Sequence, residues 1–416
     1  MIKSIVSIGA QAVIKLLFSV VSLKVVAFYA GPSGMALVGQ LQSFLQMTAA
    51  GACAMTSTGV VKLVSEGRQA ENKIIKASFF LLSIYTVFVF LILWFFFDVI
   101  TEVFLGGQWG GVLLSIPVAA FFLGLGSLFI SYYNGRQDYR RYFIYSILVS
   151  MFTVVAVVLC VLIFGFKGAI YSVVIAPVCA GVIILACFRG WMNDWKVLSP
   201  SEFSPLAKSL LQFSLMAVGS ALVVYGGQIY LRQFITSNLS ATAAGIWYSA
   251  TRLSDIYIGI SSVLFSTVLL PKYSGLAGRL LTSEVMRMLV FGLMFSLVLV
   301  LAVNVVSGWT VNMIYGPAFD LASRLLDIYV VGDALKVVSW IFLYVLISKQ
   351  KVIFYLVYEV FSAVVYVVLS MLALKYVGFD NMALGYVVQV SVSLVILLCW
   401  FFKFSRESVR TVEADD

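Results

Sequence analysis

Two pairs of opposite charges stand three residues apart inside long apolar runs, Arg252 with Asp255 and Asp333 with Lys336. On a helix that spacing puts both members of a pair on one face, where they can form an ion pair. A charge at the centre of a membrane-spanning helix costs about 2.5–3.5 kcal/mol on insertion scales, so each such residue needs a partner or water. Lys15 and Lys24 in the first apolar run, Asp327 in the tenth and Glu359 in the eleventh belong to the same group. The chemistry open to them is binding an anion or carrying a small ion. Each pair reads either as a self-satisfied packing element or as a polar lining against a water-filled cavity. Lys15 has no nearby carboxylate in its own run and is the stronger cavity candidate, whereas Lys24 lies nearer the outer surface and can snorkel. They are nine positions apart, which turns an ideal helix through about 180°, so both face one cavity only if the span bends. Lys15, Lys24, Arg252 and Lys336 set against Asp255 and Asp333 leave such a cavity net positive, which suits an anionic substrate.

Gln40, Gln42, Gln46 and Gln228, with Tyr225, Tyr230, Trp247 and Tyr248, can contact sugars by hydrogen bonds and stacking. Helix–helix hydrogen bonding and interfacial placement use the same residue types. Other chemistries are absent from the sequence. It has no histidine, so no imidazole metal site and no Ser-His or Cys-His nucleophile. Cys53, Cys160, Cys179, Cys187 and Cys399 all fall within apolar runs and read as free thiols, and no metal site or other cofactor is expected. No Gly-Lys dipeptide occurs, which excludes a Walker A lysine.

The elements that position these residues follow from composition. Of 416 residues, 62% are hydrophobic and 11% charged, with a mean hydropathy of +1.07. A soluble domain carries about 25% charged residues, so this is an all-α integral membrane protein. Runs of about 20 apolar residues predict twelve transmembrane helices near 5–30, 35–61, 77–97, 112–132, 143–164, 169–188, 209–231, 243–270, 288–308, 323–347, 352–374 and 382–402. Their unbroken length excludes a β-barrel, and the first run is too long for a cleaved signal peptide.

The net charge of +9 does not point to nucleic acid, because the basic residues sit in short loops between spans. Nineteen of 27 fall on the side shared by both termini and four (Lys167, Arg232, Arg324 and Lys375) on the other. The positive-inside rule then puts both termini in the cytoplasm. Six tryptophans (Trp94, Trp109, Trp191, Trp195, Trp309 and Trp400) fall near span ends, as an interfacial belt requires. The chain divides into a six-helix lobe over 1–195, a cytoplasmic linker over 196–208 carrying Pro200 and Pro205, and a second six-helix lobe over 209–416. A shift of 213 residues pairs Gly165 with Gly378 and Phe166 with Phe379, and a shift of 206 pairs Gly39 with Gly245, an internal repeat of two parallel halves. Two such bundles facing a central cavity make an alternating-access carrier.

Gly245-Ile246-Trp247, Leu253-Ser254-Asp255-Ile256-Tyr257 and Leu269-Leu270-Pro271 resemble the eighth-helix region of Wzx lipid-linked oligosaccharide flippases. Val331-Gly332-Asp333-Ala334-Leu335-Lys336 resembles their tenth-helix motif, and Tyr29-Ala30-Gly31-Pro32-Ser33-Gly34 their opening. The sequence is also similar to the enterobacterial common antigen lipid III flippases. The resemblance implies a MOP-superfamily, MATE-like exporter of two lobes in the bacterial inner membrane. Its implied cargo is an O-antigen repeat unit on undecaprenyl pyrophosphate, moved to the periplasmic leaflet and used by a polymerase and a chain-length regulator. It further implies proton or sodium antiport, for which this chain offers Asp255, Asp333 and Asp327; Lys15, Lys24, Arg252 and Lys336 would attract the pyrophosphate. Two rivals stand beside it. A multidrug or small-cation antiporter of the same superfamily calls for a net acidic cavity. A membrane glycosyltransferase or polymerase calls for a sizeable outer loop with catalytic residues, where this chain has only Asp98 and Glu102.

Overall fold

In lipid, an unpaired backbone N–H or C=O finds no water, so a chain this apolar satisfies its backbone inside helices. The computed structural model describes residues 2–67, 70–187, 199–349 and 351–415. The helices are α1 (Ile2–Ala54), α2 (Thr58–Glu66), α3 (Glu71–Phe95), α4 (Phe97–Leu105), α5 (Gly110–Gly135), α6 (Tyr139–Cys187), α7 (Pro200–Asn238), α8 (Ala241–Ser274), α9 (Gly278–Tyr315), α10 (Asp320–Ser348), α11 (Val352–Tyr376) and α12 (Leu384–Asp415). Among the described residues, nine helices are long and apolar enough to cross a membrane. Two of these, α1 and α6, each carry two of the expected spans, and α7 supplies the remaining one.

Both double helices break at a glycine. Gly31 (φ 64°) turns α1 just before Pro32, whose fixed φ suits the first turn of the second arm. Gly165 (φ 57°) turns α6. Gly378, its counterpart at the 213-residue shift, also has a positive φ (89°), so the pair fills the same backbone role between consecutive spans in both halves. The arms of α6 then approach closely, and a Cβ on Gly168 would stand 1.9 Å from the carbonyl oxygen of Cys160.

Two elements differ from the expected spans. The second span ends at Ala54 and not near 61, because a turn at 55–57 separates it from α2. The apolar stretch after α3 folds as the separate short helix α4. The expected linker 196–208 and the belt residues Trp191 and Trp195 lie wholly or in part outside the described residues.

By internal contacts the chain forms two compact units, residues 1–233 and 234–416. In the first, α1, α5 and α6 form the core. Gly124 of α5 lies where a Cβ would meet Leu82 and Ala52 at 2.7 and 3.1 Å, the close packing its sequence position suggests. At one end, Lys73 is 2.7 Å from Glu202, which with Ser199 holds that carboxyl below its usual range. In the second unit α10 is central, packed by α8, α9, α11 and α12. Its core includes Phe265, Tyr273, Phe342 and Phe401. Leu293, Leu297, Leu301 and Val305 of α9 point outward as a lipid-facing surface does. Cys53, Cys160, Cys179 and Cys399 are free thiols.

Candidate functional site

α10 buries one carboxylate. Asp333, near its middle, is 1% exposed. Ser254 and Tyr257 sit three apart on α8, so both side chains reach the same neighbour. The Ser254 hydroxyl donates to Asp333 Oδ2 at 2.6 Å and the Tyr257 hydroxyl to the same oxygen at 2.5 Å. From α12, Tyr386 donates to Oδ1 at 2.8 Å. Three donated hydrogen bonds thus offset the desolvation of the carboxyl group, which for a charged carboxylate alone costs several kcal/mol.

A second polar layer backs the first. Tyr329, one turn before Asp333, accepts from Trp247 Nε1 at 2.7 Å and lies 3.4 Å from the Tyr366 hydroxyl. The Tyr386 ring packs against Tyr329 (5.2 Å between centroids) and Tyr366 (5.7 Å). Gly332 makes room for it, since a Cβ there would stand 2.6 Å from two Tyr386 ring carbons.

The charges expected to pair divide differently. Asp333 is held by hydroxyls and not by Lys336, because it points into the α8–α10–α12 packing while Lys336 is half-buried beside it. Asp255 follows Ser254 on α8, about 100° further round the helix, and its side chain is exposed. Arg252, Lys336 and Asp333 are its electrostatic neighbours, and Arg252 is half-buried. An exposed carboxylate and two half-buried cations on neighbouring membrane helices call for water beside them, because hydrocarbon stabilises neither sign. Asp327, nearer the start of α10, is set apart from this group, and its buried Oδ1 accepts no hydrogen bond.

The first unit holds the other expected residues. Lys15 and Lys24 are both exposed, and the single break in α1 lies beyond them at Gly31. With no bend between them they point to opposite sides, which removes the expectation that both line one cavity. Gln40 is 3% exposed, takes Arg232 Nη1 on its Oε1 at 2.9 Å, and donates to the Ile229 carbonyl at 3.2 Å. Trp247 and Tyr248, 1% and 8% exposed, are buried too. As sugar contacts, Gln40, Trp247 and Tyr248 are therefore corrected: each is enclosed by packing. Gln42, Gln46 and Gln228 remain half-buried.

Sequence reasoning missed Tyr386, Tyr366, Tyr329 and Arg232. Arg232 was placed in an outer loop, yet α7 continues to Asn238 and buries it at 2% exposure, also 3.2 Å from the Ser43 hydroxyl. A usable signal existed for Tyr366: Tyr355, Glu359, Ser362 and Tyr366 recur at helical spacing in an otherwise apolar run.

Comparison with known proteins places this architecture. The family described as "Polysaccharide biosynthesis protein" matches residues 38–324. The lipid III flippase of Escherichia coli (strain K12) is 24% identical over 344 residues, covering 81% of this chain and 82% of that protein. An inward-facing multidrug resistance MATE family transporter of the MOP superfamily superposes with a TM-score of 0.77 at 16% identity, covering 96% of each chain. The lipid II flippase MurJ, in an inward closed conformation, superposes with a TM-score of 0.74 at 16% identity, covering 100% of this chain and 93% of that one. The multi-pass membrane fold of MOP-superfamily transporters is therefore the fold of this chain.

Proposed function

Because the chain belongs to the polysaccharide biosynthesis protein family, we propose that it is a transporter, a flippase for lipid-linked oligosaccharide. The cargo on this reading is an O-antigen repeat unit on undecaprenyl pyrophosphate, moved from the cytoplasmic to the periplasmic leaflet of the bacterial inner membrane by alternating access. Both termini lie in the cytoplasm, the polymerase and chain-length regulator act on the exported unit, and no cofactor takes part. The likeness to the lipid III flippase supports a lipid-linked cargo. The likeness to the multidrug transporter is one of fold.

The observation that carries the reading is the group of two half-buried cations, Arg252 and Lys336, and the exposed Asp255 on two adjacent membrane helices. A pyrophosphate and hydrated sugars do not cross hydrocarbon unaided. Arg252 and Lys336 attract the pyrophosphate, with Lys15 and Lys24 as the further candidate bases for it. Asp255 holds the two cations while the site is empty. Gln42, Gln46 and Gln228 are the remaining sugar contacts. Ion coupling by proton or sodium antiport falls to the buried Asp333, with Asp255 and Asp327 as further carboxylates.

The test is complementation of a strain lacking this gene. The full chain restores polymerised glycan at the cell surface, while Arg252→Ala and Lys336→Ala leave lipid-linked oligosaccharide on the cytoplasmic leaflet. Full glycan from both variants at matched protein level removes these residues from the mechanism. Failure of the wild-type chain to clear the lipid-linked intermediate removes the function.

A further inference from the structure

Along α11, Tyr355, Glu359, Ser362 and Tyr366 stand four, three and four residues apart and share one face. The opposite face carries Ile353, Val357, Val360, Val364 and Val368, all exposed as lipid-facing residues are. α12 answers with Tyr386, Gln389 and Ser393, again on one face. Where the two helices pack, Gln389 Nε2 donates to Ser362 Oγ at 2.5 Å and to Ser393 Oγ at 2.9 Å, and the two serine hydroxyls are 3.1 Å apart. Gln389 and Ser393 are 5% and 2% exposed. The Tyr358 hydroxyl lies against both serines, and Tyr355 against Glu359. At the far end Tyr386 reaches Asp333.

We propose that this line of hydroxyls is a proton path between Asp333 and the end of α11 that carries Glu359, with Gln389 as its positioning residue. The proposal rests on the reading above in two respects, that Asp333 is the coupling carboxylate and that this end of α11 faces the cytoplasm. A carboxylate offers about four lone-pair sites. Ser254, Tyr257 and Tyr386 fill three of those on Asp333, which leaves room for one proton. The chemistry is therefore that of a proton site. A proton leaving the Asp333 carboxyl passes to the Tyr386 oxygen as that hydroxyl releases its own. Gln389 follows Tyr386 by three residues on α12, so Ser362 stands about one turn along from the Tyr386 level, and on this proposal water carries the proton across that step. Ser362, Ser393 and Tyr358 each gain one proton and lose one, water carries it from Tyr358 to the Glu359 carboxylate, and Glu359 releases it at its end of α11. Gln389 transfers none, because its amide holds the two serines in line. The groups facing Asp333 are Tyr257 and Asp255 from α8, Tyr329 and Lys336 on α10 and Tyr386 from α12, with Tyr366 of α11 packed behind Tyr386 and Tyr329. α9 contributes the Ser296 hydroxyl, which donates to the Ala334 carbonyl.

The test needs no cargo, so its outcome is independent of which glycan is moved. The full-length protein in liposomes is given a pH jump while the infrared band of the protonated Asp333 carboxyl, identified by its loss in Asp333→Asn, is followed in time. Ser362→Ala combined with Ser393→Ala slows protonation about tenfold or more without moving the titration midpoint, and the matching threonine pair restores the rate. Glu359→Gln, at a half-buried position, slows it as well and serves if the alanine pair fails to fold. Unchanged rates in the alanine pair or in Glu359→Gln overturn the path, as does the absence of any titrating Asp333 band. Loss of glycan export with normal proton rates in these variants overturns it too, leaving the flippase reading intact.

Discussion

The ring of Tyr386 occupies the space a side chain on Gly332 would need, two of its carbons standing 2.6 Å from the Cβ position. The same residue donates to Asp333, the next residue along α10. Gly332→Ala therefore acts through Tyr386. Overpacking of this kind costs about 1–3 kcal/mol, and the ring, confined by Tyr329 and Tyr366, has to move away from the carboxylate. Glycan export is expected to fall with only a modest loss of thermal stability. Tyr386→Phe, which keeps the ring and drops the hydroxyl, reproduces the export defect. Normal export in Gly332→Ala shows that the ring has another place to go.

Replacing Asp333 separates charge from packing. Asp333→Asn keeps the shape and one accepting oxygen but sets an amide N–H against at least one donating hydroxyl, so folding is expected to lose about 1–3 kcal/mol while ion-coupled export stops. Asp333→Leu leaves the Ser254, Tyr257 and Tyr386 hydroxyls facing an apolar group, at about 1–3 kcal/mol for each buried donor left unmade. Thermal unfolding of the purified protein ranks the two. Equal stability of Asn and Leu variants means the hydroxyls find other acceptors.

The sequence displays what hydropathy encodes and conceals what depends on distant neighbours. Most expected spans lie within one helix, and the described part of each is largely helical, because lipid leaves an apolar run no other way to satisfy its backbone; the spans near 35–61 and 77–97 run past a helix end at Ala54 and Phe95. Asp333 was visible because a charge in such a run is costly. Its partners were not: Tyr386 is 53 residues away and Tyr257 76, and a tyrosine in an apolar run has many uses. The local i,i+3 rule pointed to Lys336 instead, since spacing identifies which residues can meet on one helix and is silent about a neighbouring helix that offers better donors. Arg232 was read as a loop residue because polarity ends a hydropathy window before it ends a helix. Gln40, Trp247 and Tyr248 have side chains suited to sugars, and only the packing reveals that they are enclosed.

The paired glycines give a test of the two-fold repeat. Gly165 and Gly378 have φ of 57° and 89° and no heavy atom within 4 Å of a built Cβ. Alanine at either meets no neighbouring atom but is forced into a backbone conformation that glycine alone adopts readily, with ψ of −130° and 173°, at about 1–3 kcal/mol. Gly168→Ala is different, because its Cβ would collide with the backbone at Cys160. The two turn variants are expected to lower the unfolding temperature by similar amounts, and Gly168→Ala to lower it further or abolish insertion. Tolerance of Gly168→Ala shows that the arms of α6 can part without loss.

Gln40 and Arg232 make the last prediction, because which of the two is removed decides the cost. Gln40 takes one Arg232 N–H and gives its own amide to the Ile229 carbonyl, in a place where the guanidinium is 2% exposed. Arginine stays charged in a protein, so it cannot shed its proton when a bond is lost. Gln40→Leu therefore weakens the support of a buried charge and is expected to cost about 1.5–3 kcal/mol. Arg232→Met removes the charge, leaves neutral groups behind, and costs less. Combining them removes both sides of the contact, and the double variant is expected to be more stable than Gln40→Leu alone. Arg232→Lys does not substitute, since one ammonium cannot reproduce the flat fork that reaches Gln40 and Ser43 together. Thermal unfolding of the four variants closes the cycle, and strictly additive losses would mean that Gln40 and Arg232 stabilise the first unit independently.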